Sequence, residues 1–198
     1  MTVTGVILAG GLARRMNGQD KGLVPFCGRP LIEYAIDAAQ PLVDRLIINA
    51  NRHIETYRRF GLPVVADRVG HFDGPLAGML SAMMDCDSDW LLVVPCDSPR
   101  VTTEHLRKLL NAAGEAEVNA AVAFDGERLH PVFSVVKTAL EADLQAYLAG
   151  GERKVERWLM RHRTVRVDFG DEPEIFANVN TLAELLSLAD RIDRQPTS

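Results

Sequence analysis

No uninterrupted apolar run approaches the ~20 residues a helix needs to cross a bilayer, so no membrane association is expected. The first residues show no basic stretch leading into an apolar core, which predicts no secretory signal. A basic excess is also missing: 22 Lys and Arg against 27 Asp and Glu give a formal net charge of −5 at pH 7. General nucleic-acid binders have the opposite balance, so no nucleic-acid partner is expected. The three cysteines, Cys27, Cys86 and Cys96, are odd in number and form no C-x-x-C pair. That argues against a disulfide framework or a zinc site and fits reduced thiols in a cytoplasm.

Several chemical signatures are absent too. Without G-x-G-x-x-G a dinucleotide fold is disfavoured, and without Gly-Lys-Ser/Thr the chain is not a Walker-type NTPase. Neither a G-x-S-x-G elbow nor an H-E-x-x-H helix is present, which removes two common hydrolase classes. There is no internal repeat, low-complexity tract or linker, so the 198 residues read as one domain with ample length for a core.

What is present is a rhythm of apolar runs alternating with amphipathic segments. Val3 to Leu8 reads as a buried strand, and it opens into a glycine-rich, basic stretch from Ala9 to Lys21. Pro30 stands where a first helical residue would, followed by an apolar face of Leu31, Ile32, Ala35, Ile36 and Ala39. Arg45 to Ala50 is a second strand, Ile54 to Phe60 a short helix, and Pro63 to Ala66 a third strand ending at Asp67. Gly74-Pro75-Leu76-Ala77-Gly78 starts a helix that runs to Met84. Trp90 to Pro95 is a further strand, and it leads into Cys96-Asp97-Ser98-Pro99. Thr103 would cap a helix carrying Leu106, Leu109, Leu110 and Ala113. Strand–loop–helix repeated in this way predicts an α/β fold, a Rossmann-like, mostly parallel sheet with helices on both faces.

After Gly114 the rhythm changes. Ala120 to Phe124 and Pro131 to Val136 flank an Asp125-Gly126 turn, which predicts an antiparallel hairpin element in the C-terminal half. Helices are expected at Leu140 to Leu148 and Lys154 to His162, then a strand at Thr164 to Val167. A final helix would begin at the capping box Thr181-x-x-Glu184. Residues 1 to about 113 form the expected nucleotide-binding half, and about 114 to 190 the acceptor half.

In open α/β sheets ligands bind beyond the carboxyl ends of the strands. Those ends present Gly10 and Gly11, then Asn49, Asp67 and Asp97, with Arg14, Arg15 and Lys21 on the first loop. Paired glycines let backbone N–H groups approach oxyanions, while Arg and Lys supply charge, so the first loop reads as a phosphate cradle.

Leu8-Ala9-Gly10-Gly11, Arg15-Met16 and Asp20-Lys21 resemble the first loop of a nucleotidyltransferase superfamily. Asn49-Ala50-Asn51-Arg52-His53, Gly74-Pro75-Leu76-Ala77-Gly78, Pro95-Cys96-Asp97-Ser98-Pro99, His130-Pro131 and Asn178-Val179-Asn180-Thr181 follow in family order. Together they resemble the molybdenum cofactor guanylyltransferases, from residue 3 to about 189. Asn17 departs from the usual glycine, a change that left-handed backbone angles tolerate.

The resemblance implies transfer of GMP from GTP to the phosphate of molybdopterin with release of pyrophosphate. It implies that Leu8, Ala9, Gly10 and Gly11 line the nucleotide, that Arg15 and Lys21 neutralise the triphosphate, and that Asn49 and Asp67 bind the nucleoside. Gly74 and Gly78 would contact the nucleobase or phosphates, and Asp97 would coordinate Mg²⁺, with Asn180 the candidate second oxygen. Asn178, Asn180, Arg153 and Arg157 are acceptor-site candidates. The spacing puts Arg153, Arg157 and Arg161 on one helical face, where they would hold an anionic pterin or simply be solvated. Alternatives from other classes are CMP transfer to the same pterin, sugar-phosphate nucleotidyl transfer, and a nucleotide- or pterin-binding module without chemistry. A monomer with transient contacts to other cofactor-biosynthesis proteins is expected.

Overall fold

Strands buried on both faces read as near-continuous apolar runs, and the central strands here do so. A computed structural model describes residues 1–10, 20–68, 74–115 and 117–177. In chain order its strands and helices are β1 (Val3–Leu8), β2 (Pro25–Phe26), β3 (Arg29–Pro30), α1 (Leu31–Ala39), β4 (Arg45–Asn49), α2 (Ile54–Arg58), β5 (Val64–Val65), α3 (Pro75–Met83) and β6 (Trp90–Pro95). They continue with α4 (Thr103–Glu115), β7 (Ala120–Phe124), β8 (Leu129–Lys137), α5 (Glu141–Ala149), α6 (Val155–Leu159) and β9 (Thr164–Asp168).

Seven strands form one sheet in the order β5-β4-β1-β6-β8-β7-β9, and β2 and β3 form a separate antiparallel pair. The strands from β5 to β6 run parallel, β8 runs antiparallel to both its neighbours, and β9 returns parallel to β7. Alternate residues of each strand feed two cores. Ile7, Ile48, Leu92 and Val135 pack with α1 and α4 on one face; Val6, Ile47, Leu91 and Val136 pack with α3, α5 and α6 on the other. The expected α/β sheet, with helices on both faces and an antiparallel element in the second half, is what forms.

Local differences have physical causes. Pro30 is not helical but extended, paired with Pro25 across a turn made by Cys27 and Gly28. Both turn residues have positive φ, 47° and 81°, the backbone that a two-residue hairpin of this hand requires. Thr103 is the first helical residue of α4, and the terminus is closed instead by Thr102, whose N–H donates to His105 Nδ1 at 3.0 Å. The expected helix Lys154 to His162 is the shorter α6, because the chain must reverse to enter β9. The β7–β8 ladder skips from Val122↔Ser134 to Ala123↔His130, bulging at Pro131, which has no N–H to give the ladder.

Register sets the site. Leu8 stands level with Asn49 on one side and Pro95 on the other, and Asn49 stands level with Val65. The residues that leave these strands, Ala9 and Gly10, Ala50 and Asn51, Ala66 and Asp67, Cys96 and Asp97, therefore emerge side by side on one edge. Backbone bonds extend the ladder by a step: Ala9 N–H to Asn49 O at 2.9 Å and Ala50 N–H to Val65 O at 3.1 Å.

Candidate active site

Two polar groups occupy this edge. The first is an ion pair: Lys21 Nζ lies 3.0 Å from Asp97 Oδ2, and both side chains are largely covered. The residues come from distant parts of the chain. Lys21 opens a 3₁₀ turn, Lys21–Leu23, and Asp97 lies two residues past the end of β6. Gly22 lets that turn lie flat, since a Cβ there would sit 3.0 Å from Tyr57 Oη and 3.4 Å from Cys96 Cβ and Sγ. Burial, reinforced by the charge of Asp97, raises the Cys96 thiol well above the ordinary range. Burial also raises the Tyr57 hydroxyl, with the Cys96 sulfur adding to the effect. Neither group is a nucleophile or a base near neutral pH; together they form a floor under Lys21.

The second group is built from amides around one carboxylate. Asn49 Nδ2 donates to Asp67 Oδ1 at 2.9 Å and to Val65 O at 3.1 Å. Asn51 Nδ2 donates to Asp67 Oδ2 at 2.8 Å, and its Oδ1 accepts the Asp67 N–H at 2.8 Å. Both oxygens of Asp67 are thus fixed by amide donors, and the carboxylate is locked in orientation. The α3 helix presses onto this cluster at Gly78 and begins at Gly74, whose φ of 117° is backbone that residues with a Cβ rarely adopt. A second ion pair joins the two groups: Arg52 Nη2 is 2.6 Å from Asp20 Oδ1.

Leu8, Ala9, Gly10, Asn49, Asp67 and Asp97 therefore lie along one edge of the sheet, as their positions at the strand ends imply, with Lys21 paired to Asp97, Gly78 packed against Asn49 and Leu8, and Gly74 at the start of α3. Gly11, Arg15, Asn178 and Asn180 lie outside the described residues, as does the capping box at Thr181. The arginine stripe does not form as expected: α6 spans only Val155–Leu159, leaving Arg153 before it and Arg161 after it. Arg153 Nη1 donates to the carbonyls of Leu148 and Glu152, Arg157 pairs with Glu152, and Arg161 lies 5.3 Å from the Tyr147 ring centroid. Asp20, Asn51 and Arg52 are the participants that sequence reasoning did not single out as site residues. Their signal was adjacency: Asp20 precedes Lys21, and Asn51 and Arg52 follow Asn49 by two and three positions.

Residues 5–166 match the MobA-like NTP transferase domain family. The molybdenum cofactor guanylyltransferase of Shewanella loihica is 45% identical over 190 residues, covering 96% of this chain and 97% of that protein. The chain belongs to the molybdenum cofactor guanylyltransferase family. The guanylyltransferase of that name from Mannheimia succiniciproducens is 46% identical over 187 residues, covering 94% of this chain and 98% of that one. Among solved structures, molybdopterin-guanine dinucleotide biosynthesis protein A from Archaeoglobus fulgidus superposes with a TM-score of 0.81. At 22% identity, over 97% of this chain and 100% of that one, it speaks to the fold. Membership in the family makes the chain a nucleotidyltransferase.

Metal binding fits this chemistry without a protein cage. No three His, Cys, Asp or Glu side chains stand together as a metal site among the described residues. Mg²⁺ is commonly held by one or two carboxylates plus substrate phosphates and keeps several waters. A single carboxylate at a strand end, Asp97, suits an ion held in that way. Among the described residues no helix is long and apolar enough to cross a membrane.

Proposed function

We propose that this protein transfers GMP from GTP to the terminal phosphate of molybdopterin, with Mg²⁺ held at Asp97 and Asn180 its candidate second ligand. The observation that carries this reading is the Lys21–Asp97 pair set beside the Asn49–Asp67–Asn51 cluster on one strand-end edge. The cluster orients the nucleoside through Asp67, whose carboxylate is an acceptor suited to the N–H donors of guanine or the ribose hydroxyls. Leu8, Ala9, Gly10 and Gly11 follow the nucleotide with backbone groups, Arg15 and Lys21 meet the triphosphate, Gly78 lets α3 come close, and Gly74 supplies the positive φ at its start.

In the reaction an oxygen of the acceptor phosphate attacks the α-phosphorus of GTP. The bond from that phosphorus to the bridging oxygen breaks opposite it, and pyrophosphate leaves with the electron pair. The acceptor phosphate is already an anion, so neither a protein nucleophile nor a general base is required. Such transfers depend on positioning and on charge placed in advance where it will be needed. Lys21 supplies that charge to the departing pyrophosphate, and an ion held at Asp97 would add positive charge beside the same triphosphate. Asn178, Arg153 and Arg157 are the acceptor-side candidates, and the reaction runs in the cytoplasm.

The test measures pyrophosphate release with molybdopterin present, supplying GTP or CTP. GTP-dependent release that stops in Asp97→Asn, while nucleotide binding persists, supports the reading. A preference for CTP overturns the choice of guanine, and continued turnover in Asp97→Asn overturns the metal assignment.

A further inference from the structure

The Asp20 side chain is 2% exposed, yet it carries a carboxylate. A carboxylate left unpaired in such a place is costly, and Arg52 meets it at 2.6 Å from a partly exposed position. Asp20 also starts the turn that carries Lys21: its carbonyl accepts the Leu23 N–H at 3.0 Å. Gly22, the middle of that turn, rests on Tyr57 and Cys96. The turn is thus held from below by packing and at its entry by one ion pair. Arg52 is the neighbour of Asn51, whose amide fixes Asp67. A single run of contacts therefore joins Asp67 to Asn51, Arg52 to Asp20, and Lys21 to Asp97.

We infer that the Asp20–Arg52 ion pair is a positioning device that sets Lys21 opposite Asp97. Asp20 and Arg52 need touch neither nucleotide nor acceptor; they act through the lysine. This inference rests on the nucleotidyl-transfer reading for its kinetic consequence, though not for its structural one. Misplacing a charged group by about 1 Å costs on the order of 100-fold in rate. Breaking the latch from either side should therefore lower kcat by about that factor with KM for GTP little changed.

The experiment uses Asp20→Asn, Arg52→Leu, their double variant and Arg52→Lys. Trace acetylation of the nucleotide-free protein, read by peptide mass spectrometry, reports how firmly Lys21 is held, with Asp97→Asn as the reference for loss of that ion pair. The expected result is faster acetylation of Lys21 in both single variants, approaching that of Asp97→Asn, together with the kcat loss. Arg52→Lys should restore part of both. The double variant no longer buries an unpaired carboxylate, so its melting temperature should recover relative to Arg52→Leu while its kcat stays low. Wild-type acetylation or wild-type kcat in Asp20→Asn overturns the inference, as does a double variant whose kcat recovers along with its stability. Failure of the wild type to use GTP would instead overturn the proposed function, and the acetylation result would still judge the latch.

Discussion

Gly78 and Asn49 are packed so closely that a Cβ on the glycine would lie 2.2 Å from Asn49 Oδ1. It would also lie 2.9 Å from Leu8 Cδ2, so no small shift relieves both contacts. The absence of a side chain on α3 is what lets the Asn49 amide stay on Asp67 and Val65 O. Gly78→Ala should therefore tilt Asn49 away from Asp67. Overpacking of this kind costs about 1–3 kcal/mol, measurable by urea unfolding. The KM for GTP should rise with it, since the proposed function sets the displaced amide on the nucleoside side. A variant with wild-type stability and KM would show that α3 can move back freely.

In the proposed reaction Lys21 supplies charge where pyrophosphate departs, and no neighbour on the described edge duplicates its pairing with Asp97. Lys21→Ala should lower kcat by about 10²–10³-fold, the usual loss for one preorganised electrostatic donor. Some stability should be lost as well, because the largely covered Asp97 carboxylate is left without its lysine. Pyrophosphate release under saturating GTP, alongside a thermal melt, separates the two effects. A proportionate loss of both would mean that Lys21 serves the fold.

The four parallel strands were legible because Val6, Ile47 and Leu91 lie in apolar runs whose ends are marked by Gly10, Asn49, Asp67 and Asp97. Those ends converge as a consequence of parallel register, so the site edge could be read without side-chain detail. The β2–β3 hairpin was not legible: Cys27-Gly28 is a poor advertisement for a turn with two positive φ values, and each strand has only two residues. The Asp20–Arg52 pair escaped for another reason. An aspartate beside Lys21 looks like part of a motif, and only burial shows that it faces inward. Helix periodicity also misled at Arg153, Arg157 and Arg161, where the spacing was correct and the helix was too short.

Asn51 holds Asp67 from both sides, as donor to its carboxylate and acceptor of its N–H. Hydrogen bonds to a charged group contribute about 1.5–3 kcal/mol each. In Asn51→Ala the carboxylate keeps only Asn49 among these amide donors and gains freedom to rotate. The KM for GTP should rise by about tenfold, since each factor of ten corresponds to about 1.4 kcal/mol. Steady-state kinetics with GTP varied at fixed acceptor would check it; an unchanged KM would remove Asp67 from nucleoside recognition.

Asp125 lies at the far side of the same edge. Its carboxylate accepts the backbone N–H groups of Arg128 and Glu127 at 2.7 and 2.9 Å and lies 2.6 Å from His130 Nε2. The Arg128 amide first, then the His130 ring, hold its pKa well below the usual carboxylate range. Its unfolded value is about 3.9, so the stabilisation is complete above that pH and is lost as pH falls through the lower folded value. Asp125→Asn should accordingly be less stable than the wild type at neutral pH, with the gap closing as pH drops below about 4. Urea unfolding at a series of pH values measures that gap; a pH-independent difference would assign the effect to shape.

The three thiols occupy three environments, and their reactivities should follow. Cys27 is exposed at the tip of the β2–β3 turn, Cys86 is half-buried near the end of α3, and Cys96 is buried under the Lys21 turn. Thiolate is the reacting species, so burial that raises the Cys96 thiol suppresses its reaction twice, by access and by ionisation. An aromatic disulfide reagent at pH 8 should label Cys27 first and leave Cys96 untouched until urea unfolds the chain. Lys21→Ala removes the one nearby cation that favours the Cys96 thiolate, so it should not speed that reaction unless the turn lifts. Labelling of Cys96 in native Asp20→Asn, with Lys21 still in place, would therefore report that the turn over the thiol has come away, the same displacement that costs the lysine its position.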